Sequence, residues 1–224
     1  MEIEMLKLVI GNKNYSSWSM RPWILLTQFN VEFEEVRIPL FTEDYQEKLA
    51  EFSPTLRVPV LIDNDLTVWD SLAICEYVTD KHLNGAALPD SAKDRAMCRA
   101  YCAEMHAGFF AIRNQMPMNC RARRSLPLNS ELEGEIARIM RLWEEARRQY
   151  EDAGPFLFGN FSMADAFYAP VVMRFLTYGV PLSNLAEEYA TNLAESDAVK
   201  AWVEGAKDES EVLPDFELGE AVVS

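Results

Sequence analysis

Apolar positions fall into two patterns along this chain. Up to about residue 80 they come in short runs and alternations; further on they recur mainly at helical spacing. Residues 6–10 form an apolar run that reads as a buried strand. Residues 11–17 read as a loop, and helical spacing starts near Ser19 and carries Trp23, Leu26 and Thr27 to Phe29. Residues 34–38 read as a strand stopped by Pro39, and 44–52 as a short, mostly polar helix. Residues 60–62, a turn at Asp63-Asn64-Asp65 and residues 66–69 read as a hairpin. Residues 71–81 place Leu72, Cys75 and Val78 on one stripe and predict a helix.

The resulting order, β-α-β-α-β-β-α, is a parallel βαβ unit followed by a hairpin and a closing helix, the thioredoxin-like pattern. Residues 84–90, with Gly85 and Pro89, read as a linker dividing the chain into units 1–83 and 91–224. Helices are expected over 93–115, 132–152, 162–178 and 191–207. The third is apolar nearly all round and so the centre of its unit. The tail from Asp208 is acidic, contains Pro214 and is expected to drape over the surface. The expected fold is therefore an α/β thioredoxin-like N-terminal domain followed by an all-α helical C-terminal domain.

The 224 residues suffice for two small cores. A net charge of -15 repels phosphate backbones and anionic membranes, so neither nucleic acid nor membrane is an expected partner. No apolar run reaches the length of a membrane span. The stretch Met1 to Gly11 is too short and too mixed in charge for a secretory core, which points to a cytoplasmic protein. Cys75, Cys98, Cys102 and Cys120 show no Cys-x-x-Cys pair and no zinc spacing. They read as small buried residues in a reducing compartment, with no metal expected.

Four segments carry candidate chemistry. Val58-Pro59-Val60-Leu61 opens a strand with proline; a cis Val58–Pro59 bond would let the Val58 backbone pair with an extended peptide. Asp70-Ser71 precedes a helix, where a carboxylate can hold an ammonium group while hydroxyl and free amides hold a carboxylate. Tyr15-Ser16-Ser17-Trp18-Ser19-Met20-Arg21-Pro22 joins the first strand to the first helix, with Ser17 and Ser19 expected as helix caps and Pro22 in the first turn. Ser162 and Asp165 have capping-box spacing and read as structural.

In this order, and with a linker near residue 85, the set resembles the glutathione transferase superfamily over almost the whole chain, most of all its serine-type, zeta-like bacterial members. Their Ser-Ser-Cys-x-x-Arg run appears here as Ser16-Ser17-Trp18-Ser19-Met20-Arg21. The resemblance implies an enzyme that takes glutathione as co-substrate, needs no other cofactor, conjugates a small electrophile and forms a homodimer, with a role in detoxification. It puts Ser16 at the thiol, with Ser17 as its neighbour, and Trp18, Arg57, Val58, Pro59, Asp70 and Ser71 around glutathione. Trp18 in place of the cysteine disfavours disulfide exchange and maleylacetoacetate isomerisation. Glutathione-dependent isomerase or peroxidase activity, or a non-catalytic interaction protein of the same fold, are the alternatives. His106 and the cluster Arg113, Arg121, Arg123 and Arg124 are candidates for holding an acidic second substrate or the glycyl carboxylate of glutathione.

Overall fold

The computed structural model describes residues 5–222. Residues 1–4, part of the stretch read for a secretory leader, lie outside them, as do the last two residues. A four-stranded sheet is built from β1 (Leu6–Ile10), β2 (Phe33–Arg37), β3 (Val60–Asp63) and β4 (Leu66–Trp69). Its order is β2-β1-β3-β4, with β1 and β2 parallel and the other pairs antiparallel. The period of two along β1 separates its faces. Leu6, Leu8 and Ile10 join the main core under α1 (Ser17–Gln28) and α3 (Ser71–Lys81). Val9 joins Ile38, Val60 and Leu49 on the other face, covered by α2 (Tyr45–Ala50).

The rest of the chain is helical: α4 (Ala92–Ala107), α5 (Phe110–Gln115), α6 (Ser130–Tyr150), α7 (Met163–Tyr178), α8 (Asn184–Ala194) and α9 (Asp197–Lys207). α7 is buried on every side except at Leu176 and packs against α1, α4 and α8. Its start is held by a capping box, with the buried Asp165 carboxylate accepting from Leu157 N, Ser162 N and Ser162 Oγ. The α/β unit and the helical unit share one apolar core, and Trp23 of α1 meets Trp202 of α9 edge to face at 5.3 Å.

Several elements differ from the sequence expectation. The helix expected over 93–115 is two helices, because Phe109 takes a left-handed backbone (φ 59) that buries its ring. Gly108 before it leaves no room for a side chain: a Cβ there would sit 2.9 Å from Glu104 O. The helix expected over 191–207 breaks at Ser196, which caps α9 while its hydroxyl donates to Leu193 O. The tail does more than drape. It makes a 3₁₀ turn at Pro214–Phe216, and its β6 (Glu220–Ala221) pairs with β5 (Arg124–Ser125) as a two-stranded ribbon. α1 starts two residues early, so Ser16, and not Ser17 or Ser19, caps it. Pro22 then lies in the second turn and leaves the Trp18 carbonyl without its helical donor.

Candidate active site

Two adjoining hollows lie where α1 begins. The smaller, about 430 Å³, is lined by Trp18, Thr55, Arg57, Val58, Pro59, Trp69, Asp70 and Ser71. The larger, about 630 Å³, takes in Ser16, Ser17, Trp18, Arg57 and Val58 and has Phe41, Tyr45, Phe110, Arg113, Arg174 and Phe216 among its walls. Trp18, Arg57 and Val58 belong to both, so the hollows are one cleft with a polar end and an aromatic end.

The polar end is made by chain ends of regular elements. The Val58–Pro59 peptide is cis, and the Val58 backbone has no hydrogen-bond partner among the described residues. Ser53 Oγ holds the preceding residue by donating to Arg57 O (2.8 Å) and accepting from Arg57 N (3.1 Å). Asp70 is the N-cap of α3: its Oδ1 accepts from Leu72 N at 2.8 Å. Its backbone has φ 73, a conformation that costs a non-glycine residue about 1–3 kcal/mol and tends to persist at functional sites. Ser71 is buried beside it, and its Oγ accepts from Arg21 Nη1 at 3.2 Å.

Between the two ends the α1 N-terminus presents its hydroxyls. Ser16 Oγ accepts from Ser19 N and donates to Ser19 Oγ at 2.8 Å. Ser17 Oγ accepts from Arg174 Nη2 at 3.1 Å, which leaves its own hydrogen free to turn into the cleft. Tyr15 does not face the cleft with its hydroxyl. That group donates to Glu217 (2.6 Å) and accepts from Arg121 (3.1 Å), and burial, followed by the Glu217 bond, raises its pKa.

Three guanidinium groups converge here in a chain of net charge -15. Arg21 and Arg174 are buried, Arg113 half-buried. The Trp18 ring lies between two of them, 4.3 Å from Arg21 Cζ and 4.6 Å from Arg113 Cζ, and Phe167 meets Arg21 at 4.7 Å. Aromatic faces are weak partners for a cation, and none of the three has a carboxylate within salt-bridge distance among the described residues. Arg174 is anchored to Met116 O and Pro170 O, and Arg113 to carbonyls of Met105, His106 and Gly108. Burial, then mutual repulsion, lowers Arg21 and Arg174 to about 9, so both remain charged at neutral pH.

The residues singled out in the sequence are thus divided. Ser16, Ser17, Trp18, Arg57, Val58, Pro59, Asp70, Ser71 and Arg113 line the cleft. His106 lies beneath its polar end, with Nε2 3.3 Å from Asp70 Oδ2. Arg121 bonds Glu209 O and Glu211 O, and Arg124 pairs with Glu217, so both clamp the tail. Arg123 is exposed at a separate hollow between α7 and α9. Arg21 and Arg174 received no role from the sequence. Arg174 had a signal, since it and Asp165 are the two charged residues of an otherwise apolar helix. Among the described residues no group of three or more His, Cys, Asp or Glu is arranged for a metal, and no helix is long and apolar enough to cross a membrane.

Residues 15–81 match the family described as glutathione S-transferase, N-terminal domain, and residues 129–205 match glutathione S-transferase, C-terminal domain. A probable maleylacetoacetate isomerase of Caenorhabditis elegans is 32% identical over 99 residues, 44% of this chain and 46% of that protein. The chain therefore aligns with less than half the length of that relative. A stringent starvation protein A homolog of Pasteurella multocida is 25% identical over 181 residues, 80% of this chain and 76% of that one. A glutathione transferase homolog from Burkholderia gl BGR1, solved with bound glutathione, superposes with a TM-score of 0.69 at 23% identity, covering 92% of this chain and 100% of its own. At that identity the likeness is one of fold.

Proposed function

The chain belongs to the superfamily with the glutathione transferase fold, and on that premise we propose that it binds glutathione and activates its thiol for conjugation to a small electrophile. One observation carries the reading: a free Val58 backbone and an Asp70-Ser71 helix start line one hollow, which opens onto an aromatic one that holds a pair of serine hydroxyls. The Val58 N–H and C=O pair with the cysteinyl residue. Asp70 takes the γ-glutamyl ammonium, while Ser71 and the first amides of α3 take its carboxylate. Arg57 on the rim meets the glycyl end.

The sulfur then lies over the α1 N-terminus. A free thiol has a pKa of about 8.5, and lowering it by about two units needs roughly 2.7 kcal/mol of preferential thiolate stabilisation. A hydroxyl hydrogen bond to charged sulfur, the helix amides and the nearby guanidinium groups together are of that size. Ser16 is the proposed donor, its hydrogen turning from Ser19 Oγ to the sulfur, with Ser17 as its neighbour. No histidine base is needed. Arg113 and Arg174, facing the aromatic end without carboxylates, favour an electrophile that bears an acid group. A homodimer in the cytoplasm is part of the same reading.

The long alignment with stringent starvation protein A homologs favours a second reading, a non-catalytic protein of this fold. Calorimetry separates the two. The wild type binds glutathione, and Asp70→Ala weakens binding by about 1.5–3 kcal/mol, as expected for a charge-assisted contact, without unfolding the protein. A wild type that neither binds glutathione nor is retained on immobilised glutathione transfers the chain to the second reading. Unchanged affinity in Asp70→Ala gives the ammonium to another group.

A further inference from the structure

His106 occupies a position the conjugation chemistry does not use. Its Nδ1 lies 3.4 Å from Arg21 Nη1 and its Nε2 lies 3.3 Å from Asp70 Oδ2. A guanidinium only donates, so Nδ1 must accept, and a neutral ring then carries its proton on Nε2, the nitrogen that faces the Asp70 carboxylate at 3.3 Å. Arg21 also donates from Nη1 to Ser71 Oγ. The two adjacent residues assigned to the γ-glutamyl group are thus tied to one buried guanidinium, Ser71 directly and Asp70 through the imidazole. Leu72 N holds Oδ1 of the short Asp70 side chain, and His106 Nε2 lies against Oδ2.

We propose that His106 is a positioning residue that, as the neutral Nε2–H tautomer, aims the Asp70 carboxylate at the ammonium group of an α-amino-acid ligand. The proposal rests on the glutathione reading above and names the part of the ligand that His106 governs. Every element packed on the ring bears on its charge. Asp70 at the start of α3 favours the cation. Arg21 from α1 and Arg113 from α5 oppose it, as does burial against Trp18 (ring centroids 5.3 Å apart) and Phe167 (6.4 Å). Burial is the largest effect, and the ring's pKa lies below the usual 6.5. A protonated ring cannot accept from Arg21, so the tie to Arg21 breaks in acid and Asp70 loses its fixed aim.

Two measurements test this, one without ligand. In the free protein, ¹⁵N-histidine NMR is expected to show His106 as the Nε2–H tautomer at pH 7.5, with a lower pKa in Asp70→Asn because an attracting charge is gone. The Nδ1–H tautomer overturns the proposal. In the second, glutathione and its analogue lacking the α-amino group are titrated into wild type, His106→Leu and His106→Gln across pH 5–8. His106→Leu is expected to weaken glutathione about tenfold, the size of one lost charge-assisted contact, and to leave the analogue unchanged, with kcat at saturation preserved. His106→Gln, whose amide can accept from Arg21 and donate to Asp70 without titrating, is expected to restore the affinity and to remove the acid-side loss expected in wild type. Equal weakening for both ligands, or none, overturns the proposal alone, provided wild type binds glutathione. A wild type with the expected tautomer but no glutathione binding overturns the functional reading and this proposal with it.

Discussion

Arginines do opposite work on the two sides of the aromatic hollow. Arg121 and Arg124 meet the tail: carbonyls of residues 209 and 211, the Glu217 carboxylate, and backbone oxygens of residues 217 and 219. Through Glu217, which also holds Tyr15 and Asn119, they bind three distant segments into one wall, and Phe216 packs on Tyr15 at 5.5 Å. Arg113 and Arg174 are as well anchored, Arg21 less so, its buried Nε having no partner, and among the described residues the three meet only hydroxyls, carbonyls, an imidazole and aromatic faces. A buried cation without a counterion costs several kcal/mol and pays off only where a ligand brings the missing charge. Sequence clustering alone put Arg121, Arg123 and Arg124 with Arg113. On the proposed reading, the counterion, visible only in three dimensions, separates a strut from a binding group.

The largest expected effect is on the strut side. Glu217→Ala removes the partner of Arg124 and the acceptor of Tyr15 and Asn119 at once. It is expected to cost about 2–4 kcal/mol, less than a fully buried pair because both side chains keep some solvent, and calorimetric Tm is the readout. A Tm unchanged in Glu217→Ala would erase the distinction, since the tail would then be held without it.

On the cleft side, Arg174→Met keeps the stem and removes the charge. The expected outcome is a fall of about 2 kcal/mol, roughly thirtyfold in kcat/KM, for electrophiles bearing an acid group, with neutral ones losing only the smaller part due to thiolate stabilisation. Parallel losses for both kinds would make Arg174 a strut like Arg124.

Ser16→Ala asks how much of the thiolate stabilisation the cations already supply. The pKa of bound glutathione, read by ultraviolet titration, is expected to rise by about one unit, or 1.4 kcal/mol. Turnover near neutral pH should fall with it and recover in part at high pH. A shift confined to Ser17→Ala would move the role to the hydroxyl that Arg174 holds, and no shift in either would assign the work to the guanidinium groups and helix amides.

The smallest effect is expected at Arg123. Arg123 is exposed, and among the described residues its side chain donates only to the carbonyl beside it, so Arg123→Ala should change Tm and substrate profile by less than about 0.5 kcal/mol. A change in substrate preference would place the exposed arginine in the site after all.

Much of the fold could be read from local pattern because its causes are local. The apolar run over residues 6–10, the Asp63-Asn64-Asp65 turn and the stripe of α3 determine their own elements, and β4 and α3 have the bounds expected. The Ser162–Asp165 cap is legible for the same reason, being made within four residues. Where contacts across the chain decide, local pattern falls short. Phe109 breaks a continuous helical signal to bury its ring, and the tail forms a strand because Arg124–Ser125 offers it an edge. Helical spacing describes the exposed and buried faces of one element; it carries no record of which partner each face meets. By itself, then, the sequence determined the α/β-then-helical architecture and the segments bearing serine, Val58-Pro59 and Asp70-Ser71. Only the tertiary structure decided which arginines lack a counterion and that His106 joins Arg21 to Asp70. Those are relations between residues 36 to 85 positions apart, and a charge is satisfied or left open by its neighbours in space.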